Sequence, residues 1–185
     1  MAFTFNSCPI SGLLEIKPYI HGDKRGYFFE SYSERDFKAA GLSHTFIQDN
    51  QSSSSKGVLR GLHYQKKHPQ TKLVRVIEGE VFDVALDMRQ DSSTKGKWFG
   101  ITLSGKKNNQ FFIPSGFAHG FLVLSETAIL SYKCTDFYYP EDEAGILWND
   151  PSIGIKWPDI DTAYILSDKD RNWPSWESVD LANRQ

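Results

Sequence analysis

Cysteine is scarce: only Cys8 and Cys134 occur in 185 residues, far apart in the chain. Two distant thiols make no disulfide framework and lack metal-ligand spacing, so a reducing cytoplasm is the expected compartment. Long apolar runs are absent too; nothing approaches the roughly 20 residues that cross a bilayer. Met1-Ala-Phe-Thr-Phe5 carries no basic leader region, so neither export nor a membrane partner is expected. An excess of positive charge is missing as well, with 21 Lys and Arg against 23 Asp and Glu and a net charge of −2. The cations are dispersed, which argues against a nucleic-acid partner while leaving room for a small anionic ligand. Helical periodicity is rare. Ser33-Glu-Arg-Asp-Phe-Lys-Ala-Ala-Gly41 alone starts on a cap residue, has an acid three on and ends in glycine.

What remains is strand pattern. Leu13–Lys17, Gly26–Tyr32 and Thr45–Asn50 read as strands, with a turn over His21–Arg25 and a polar loop over the serines of 52 to 55. From Leu73 a hairpin runs to Ile77, turns at Glu78-Gly79 and returns over Glu80–Asp87, placing Asp83 and Asp87 on one face. Further strands follow at Trp98–Leu103, Gln110–Ile113, Gly120–Leu124 and Ala128–Cys134. Many short strands with little helix predict a mainly β protein, an antiparallel sandwich or barrel, as one domain over residues 1–185. The tail after Pro140 mixes tryptophan, proline and acids and is expected to wrap over the barrel.

Two stretches carry chemistry. In Gly57-Val-Leu-Arg-Gly-Leu-His-Tyr-Gln65 a straight strand sends Arg60 and His63 to opposite faces. Gly61 between them is a natural place for a bulge that re-aims one of them, so that a cation and a titratable ring serve one cavity. In Pro114-Ser-Gly-Phe-Ala-His-Gly-Phe121 a turn delivers His119 onto the following strand. This pattern resembles the second motif of the cupin barrels, where such a histidine binds metal. A metal cupin keeps a second histidine two residues after the first, and here that position is Gln65. The chain therefore resembles a cupin that has lost its metal site, and no metal or other cofactor is expected.

The resemblance then becomes specific. Asp23-Lys-Arg-Gly-Tyr-Phe-Phe-Glu30, Phe46-Ile-Gln-Asp-Asn50, Val58–Gln65, Lys72-Leu-Val-Arg75, Phe82–Arg89, Ile113–Phe121, Tyr132-Lys-Cys-Thr135 and Leu147-Trp-Asn-Asp150 occur in order over nearly the whole chain. Together they resemble the dTDP-4-dehydrorhamnose 3,5-epimerase family. That likeness implies a cupin-type antiparallel jelly-roll barrel with few short helices, a homodimer, and a dTDP-4-keto-6-deoxy sugar as substrate. It also implies two epimerisations through an enolate, in L-rhamnose precursor synthesis. His63 is implied as base, oriented by Asp170, with Tyr132 as proton donor on the other face and Lys72 near the keto oxygen. Arg60, with Arg25 from a neighbouring subunit, is implied to hold the diphosphate. Glu30, Gln48, Asp49 and Asn50 match nucleotide- or sugar-contacting positions, His119 the sugar or its phosphate, and Glu143 and Lys169 further ligand contacts. Tyr138 is implied as the surface that stacks on thymine, with Tyr139 fitting nearly as well.

Bland readings stand beside these. Without the resemblance, Arg25, Glu30 and Glu143 read as surface charges, and Tyr132 as a core residue with a satisfied hydroxyl. Asp83 reads as a structural partner of Arg75 or Lys72; His21, His44 and His68 read as solvated. Thr71 stands where the family more often has glycine or alanine. The rival functions are a single-carbon epimerase or a ketoisomerase on a related dTDP-4-keto sugar, and a sugar-nucleotide-binding barrel without turnover. A metal-dependent dioxygenase cupin is disfavoured by Gln65.

Overall fold

Packed layers build the molecule, because each strand must bury at least one face against a neighbouring layer. The computed structural model describes residues 2–182; Met1 and 183–185, the ends of the expected domain, lie outside the described residues. The strands are β1 (Phe3–Ser7), β2 (Leu14–Pro18), β3 (His21–Asp23), β4 (Gly26–Phe28), β5 (Gln48–Ser55), β6 (Leu59–Gln65) and β7 (Lys72–Glu78). They continue as β8 (Glu80–Asp87), β9 (Trp98–Ser104), β10 (Gln110–Ile113), β11 (Phe117–Val123), β12 (Thr127–Cys134) and β13 (Glu143–Gly145). One antiparallel sheet has the order β1-β2-β10-β7-β12-β5, the other β13-β6-β11-β8-β9, and β3-β4 forms a separate ribbon. From β7 onward the chain passes repeatedly between the two sheets, giving the expected jelly-roll barrel.

Three apolar layers result. Between the sheets lie Val74, Val76, Val81, Ala85, Phe111, Phe121 and Leu130. Outside the five-stranded sheet, Leu62, Val84, Leu86 and Ile146 are covered by tail residues Ile153, Trp157, Trp176 and Val179. Outside the six-stranded sheet, helix α1 (Glu34–Ala39) presses Phe37 against Phe3, Ile16, Leu73 and Phe112. Burying one such phenylalanine contributes about 2–3 kcal/mol. Ser33 caps α1 as its position foretold, its hydroxyl accepting from the Asp36 amide at 3.4 Å.

Several local expectations need correction. The serines of 52 to 55 are not a loop: they form the second half of β5, paired residue by residue with Leu130 to Thr127 of β12. A strand needs backbone partners more than apolar side chains, and β12 supplies them. His21–Asp23 is strand rather than turn, and the strand at Gly26 stops at Phe28 instead of Tyr32. There the turn is tightened by Asp23, which accepts from the Arg25 amide at 2.8 Å and its guanidinium at 2.6 Å. The tail carries two short helices that periodicity did not reveal, α2 (Asp168–Arg171) and α3 (Trp176–Ala182). His44 is half-buried with its ring 5.3 Å from Phe112, and His68 bonds Asp142 at 3.2 Å, so neither is simply solvated. Among the described residues no helix is long and apolar enough to cross a membrane.

Candidate active site

The site grows from an irregularity in β6. His119 of β11 faces His63, but Phe121, two residues on, faces Arg60, three residues back. β6 therefore carries one extra residue at Gly61-Leu62, the bulge that Gly61 foretold. Gly61 has φ +130°, and a Cβ there would meet the Gly120 Cα at 2.5 Å, so no larger residue fits this close approach. The extra residue turns Arg60 and His63 to the same side, and both line a cavity of about 450 Å³ inside the barrel.

His63 is held by the tail. Its Nε2 lies 2.5 Å from Asp170 Oδ1. The carboxylate, only 4 % exposed, also accepts from the Ser167 hydroxyl at 2.7 Å and the Gly61 amide at 3.4 Å. Ser167 caps α2, so one short helix places the carboxylate. Burial pushes the Asp170 carboxyl up, but the bonds from His63 and Ser167 outweigh it and leave Asp170 below its ordinary value, ionised. An ionised acceptor at Nε2 keeps the proton there and leaves the Nδ1 lone pair free. Nδ1 has Glu143 Oε1 at 3.8 Å.

Tyr132, two residues before the buried Cys134 on β12, points into the same cavity. Burial is the main reason its phenol lies above the usual range; Cys134 and Glu143 add to this and Arg60 opposes it. Lys72, the first residue of β7, also lines the cavity, its Nζ 6.0 Å from the centre of the Tyr132 ring. Burial holds the Lys72 ammonium below its ordinary value, against the pull of Cys134, Asp83 and Glu143. His119, 7 % exposed, gives Nε2 to both oxygens of fully buried Asp83 at 2.9 and 3.0 Å. Asp83 thus bonds His119, which its sequence position did not suggest, while acting on Lys72 only through its charge and without a hydrogen bond. Facing that pairing requires the register between β8 and β11, which no local pattern reveals.

The rim is polar. Tyr138 donates to Glu143 Oε2 at 2.5 Å, and Lys169 ion-pairs with the same oxygen. The bond to Glu143, with some burial, pushes the Tyr138 phenol up to about 12. Asn50 lines the cavity, steadied by Gln48 Nε2 at 2.9 Å and by a 3.7 Å contact to Cys134 Sγ. Arg60 is braced by the Ser54 hydroxyl at 3.2 Å. So His63, Tyr132, Asp170, Lys72, Arg60, Asn50, His119, Tyr138, Glu143 and Lys169 all meet around one cavity. Asp49 points to the other face of β5, where it pairs with Lys133 at 2.9 Å. Arg25 and Glu30 are exposed on and just after the β3-β4 ribbon and are not brought to this cavity within the chain. Gln65, where a metal cupin has its second histidine, spends its amide on the Tyr139 backbone.

Comparison with known proteins places the whole fold among sugar-nucleotide epimerases. Residues 7–178 match the family model described as dTDP-4-dehydrorhamnose 3,5-epimerase. A protein of that name from Methanothermobacter thermautotrophicus is 52 % identical over 172 residues, covering 92 % of this chain and 93 % of its own. The crystal structure of the dTDP-6-deoxy-D-glucose-3,5-epimerase of Legionella pneumophila, in complex with dTDP-4-keto-L-rhamnose, superposes with a TM-score of 0.94. It shares 47 % identity and covers 97 % of this chain and 96 % of its own. A 3'-monoepimerase from Streptomyces bikiniensis, in complex with dTDP-quinovose, superposes at 0.90 with 32 % identity, covering 96 % and 90 %.

Proposed function

This chain belongs to the dTDP-4-dehydrorhamnose 3,5-epimerase family, and on that premise we propose how its residues convert dTDP-4-dehydro-6-deoxy-D-glucose to dTDP-4-dehydro-L-rhamnose. The observation that carries the reading is the convergence of the His63–Asp170 pair and Tyr132 on one cavity. Inverting a carbon next to a ketone requires a base that removes its proton, a group that stabilises the enolate, and an acid that returns a proton to the opposite face. His63 takes the proton on Nδ1. Asp170 holds the ring and stabilises the imidazolium that forms, without itself taking the proton. Lys72 supports the developing charge on the keto oxygen with a fixed ammonium in a dry setting. Tyr132 returns the proton from the other side. Its raised value keeps the phenol protonated until the transfer, and Arg60 eases the loss of the proton.

Arg60 and His119 bind the diphosphate and sugar, because guanidinium forks match phosphate oxygens. Tyr138 stacks on thymine, and Gln48, Asn50, Glu143 and Lys169 line the path of the nucleotide. A homodimer completes the site, its partner supplying Arg25 and Glu30. Tyr19, Ile20, Tyr27 and Phe28, all exposed on or beside the ribbon that carries Arg25, support that reading, since such a patch is costly to leave in water. Asp49 is the weakest of the expected contacts, being turned toward Lys133. The protein works in the cytoplasm, in the supply of activated L-rhamnose, and residues 1–185 act as one domain.

The test is product identity. After incubation with dTDP-4-dehydro-6-deoxy-D-glucose, borohydride reduction and mild acid hydrolysis, double inversion yields L-rhamnose and 6-deoxy-L-talose. Recovery of 6-deoxy-D-glucose and D-fucose alone means no inversion, and any other pair of 6-deoxyhexoses assigns inversion at a single carbon.

A further inference from the structure

Between Cys134 and the turn at Pro140 the chain belongs to no strand or helix, yet it carries Tyr138 on the rim of the cavity. Its backbone polar groups are not met by a ladder; beside the Asp136 side chain on the Phe137 amide and the Asp142 amide on the Tyr139 carbonyl, three glutamines from separate parts of the barrel meet them. Gln70, in the loop before β7, donates from Nε2 to the carbonyls of Asp136 and Phe137, both at 3.0 Å. Gln48, the first residue of β5, accepts from the Tyr138 amide at 3.0 Å. Gln65, the last residue of β6, donates to the Tyr139 carbonyl at 2.7 Å and accepts from the Tyr139 amide at 3.3 Å.

We propose that Gln65 and Gln70, together with Gln48, clamp segment 136–139 in its binding shape, and that they are positioning residues for affinity toward the nucleoside base. This rests on the reading of Tyr138 as the stacking surface. A side-chain amide suits the task because its NH2 group donates and its carbonyl oxygen accepts, matching both kinds of backbone group without adding charge. The physical benefit is preorganisation. Phe137 and Tyr138 are about half exposed, at 53 and 48 %, so little packing fixes them. Without the amides, the segment must be ordered each time a nucleotide binds, and that entropy is subtracted from affinity. Gln65 thus occupies a metal-ligand position of the cupin pattern with a group that steadies a loop.

The experiment is calorimetric titration with dTDP, alongside kcat and KM, for the full-length protein and Gln65→Met, Gln70→Met, Tyr138→Ala and the Gln65→Met/Tyr138→Ala double variant. Methionine keeps the length of glutamine and removes its hydrogen bonds. Loss of one or two net hydrogen bonds predicts dTDP binding weaker by about tenfold in each glutamine variant. KM rises in parallel, kcat changes less, and the Gln65→Met loss largely disappears once Tyr138 is alanine. A normal dTDP affinity in Tyr138→Ala overturns the stacking reading. Weakened binding in Tyr138→Ala with unchanged glutamine variants overturns the clamp. So does a Gln65→Met loss that persists in full without Tyr138. Circular dichroism confirms folding. Should buried Gln65 not tolerate the change, a Gln70→Met/Tyr138→Ala double variant carries the same decision, since Gln70 itself borders the cavity and its single variant alone does not separate the clamp from a direct contact.

Discussion

Nε2 of His63 and Oδ1 of Asp170 lie 2.5 Å apart although 107 positions separate them in the chain. The base is on the barrel and its orienting carboxylate on the tail, so the wrap of the tail across the sheet assembles the site. Asp170→Asn keeps the size and removes the charge that fixes the tautomer. A fall in kcat of about 10²-fold or more is expected, with KM changed far less. Steady-state kinetics checks this, and a fall confined to KM would speak against the assignment.

The antiparallel sandwich or barrel was legible because the strand segments from Leu73 to Cys134 are short, regular and separated by turn residues, whereas the jelly-roll form came only through the family likeness. Arg60 and His63 were readable as partners only through Gly61, whose lack of a side chain signalled the bulge. Residues whose placement depends on long-range register were not legible. Asp83 finds His119 because β8 lies beside β11, and Asp170 could be cast only through the family likeness. The serine half of β5 was misread because its partners, not its own side chains, make it a strand.

Gly61→Ala tests the bulge. The added methyl meets the Gly120 Cα at 2.5 Å, and φ is +130°, so both strain and overlap oppose it. A destabilisation of about 3 kcal/mol or more in urea unfolding is predicted. Surviving folded protein should show weaker activity, because Arg60 and His63 no longer share a face.

Lys72 sets a pH limit. Its folded value is lowered by burial, so its ammonium is lost at lower pH than that of a free lysine. Since the charged form supports the enolate, kcat should decline on the alkaline side through the folded value. Replacement by arginine, which stays charged, should shift that limb to higher pH at some cost in maximal rate. An alkaline limb that does not move in Lys72→Arg assigns the titration to another group.

Acid stability has a separate source. Asp87 is held at about 2; burial opposes this, and bonds from Arg89, Ser92 and Thr94 prevail. A carboxyl whose folded value lies below its unfolded one stabilises the fold above the unfolded value, near 3.8. That contribution is lost as pH falls from there through about 2. Unfolding followed from pH 6 to pH 2 should therefore show a shallower acid loss in Asp87→Asn, which starts from a lower stability.

Proton NMR of dTDP-4-dehydro-6-deoxy-D-glucose in deuterium oxide tests the central claim most directly, with wild type, His63→Ala and Tyr132→Phe in parallel. Wild type should lose the signals of both carbon 3 and carbon 5 with inversion. His63→Ala should lose neither, and Tyr132→Phe should exchange without completing the inversion. Undiminished exchange in His63→Ala would contradict His63 as the base, and with it the account of this site.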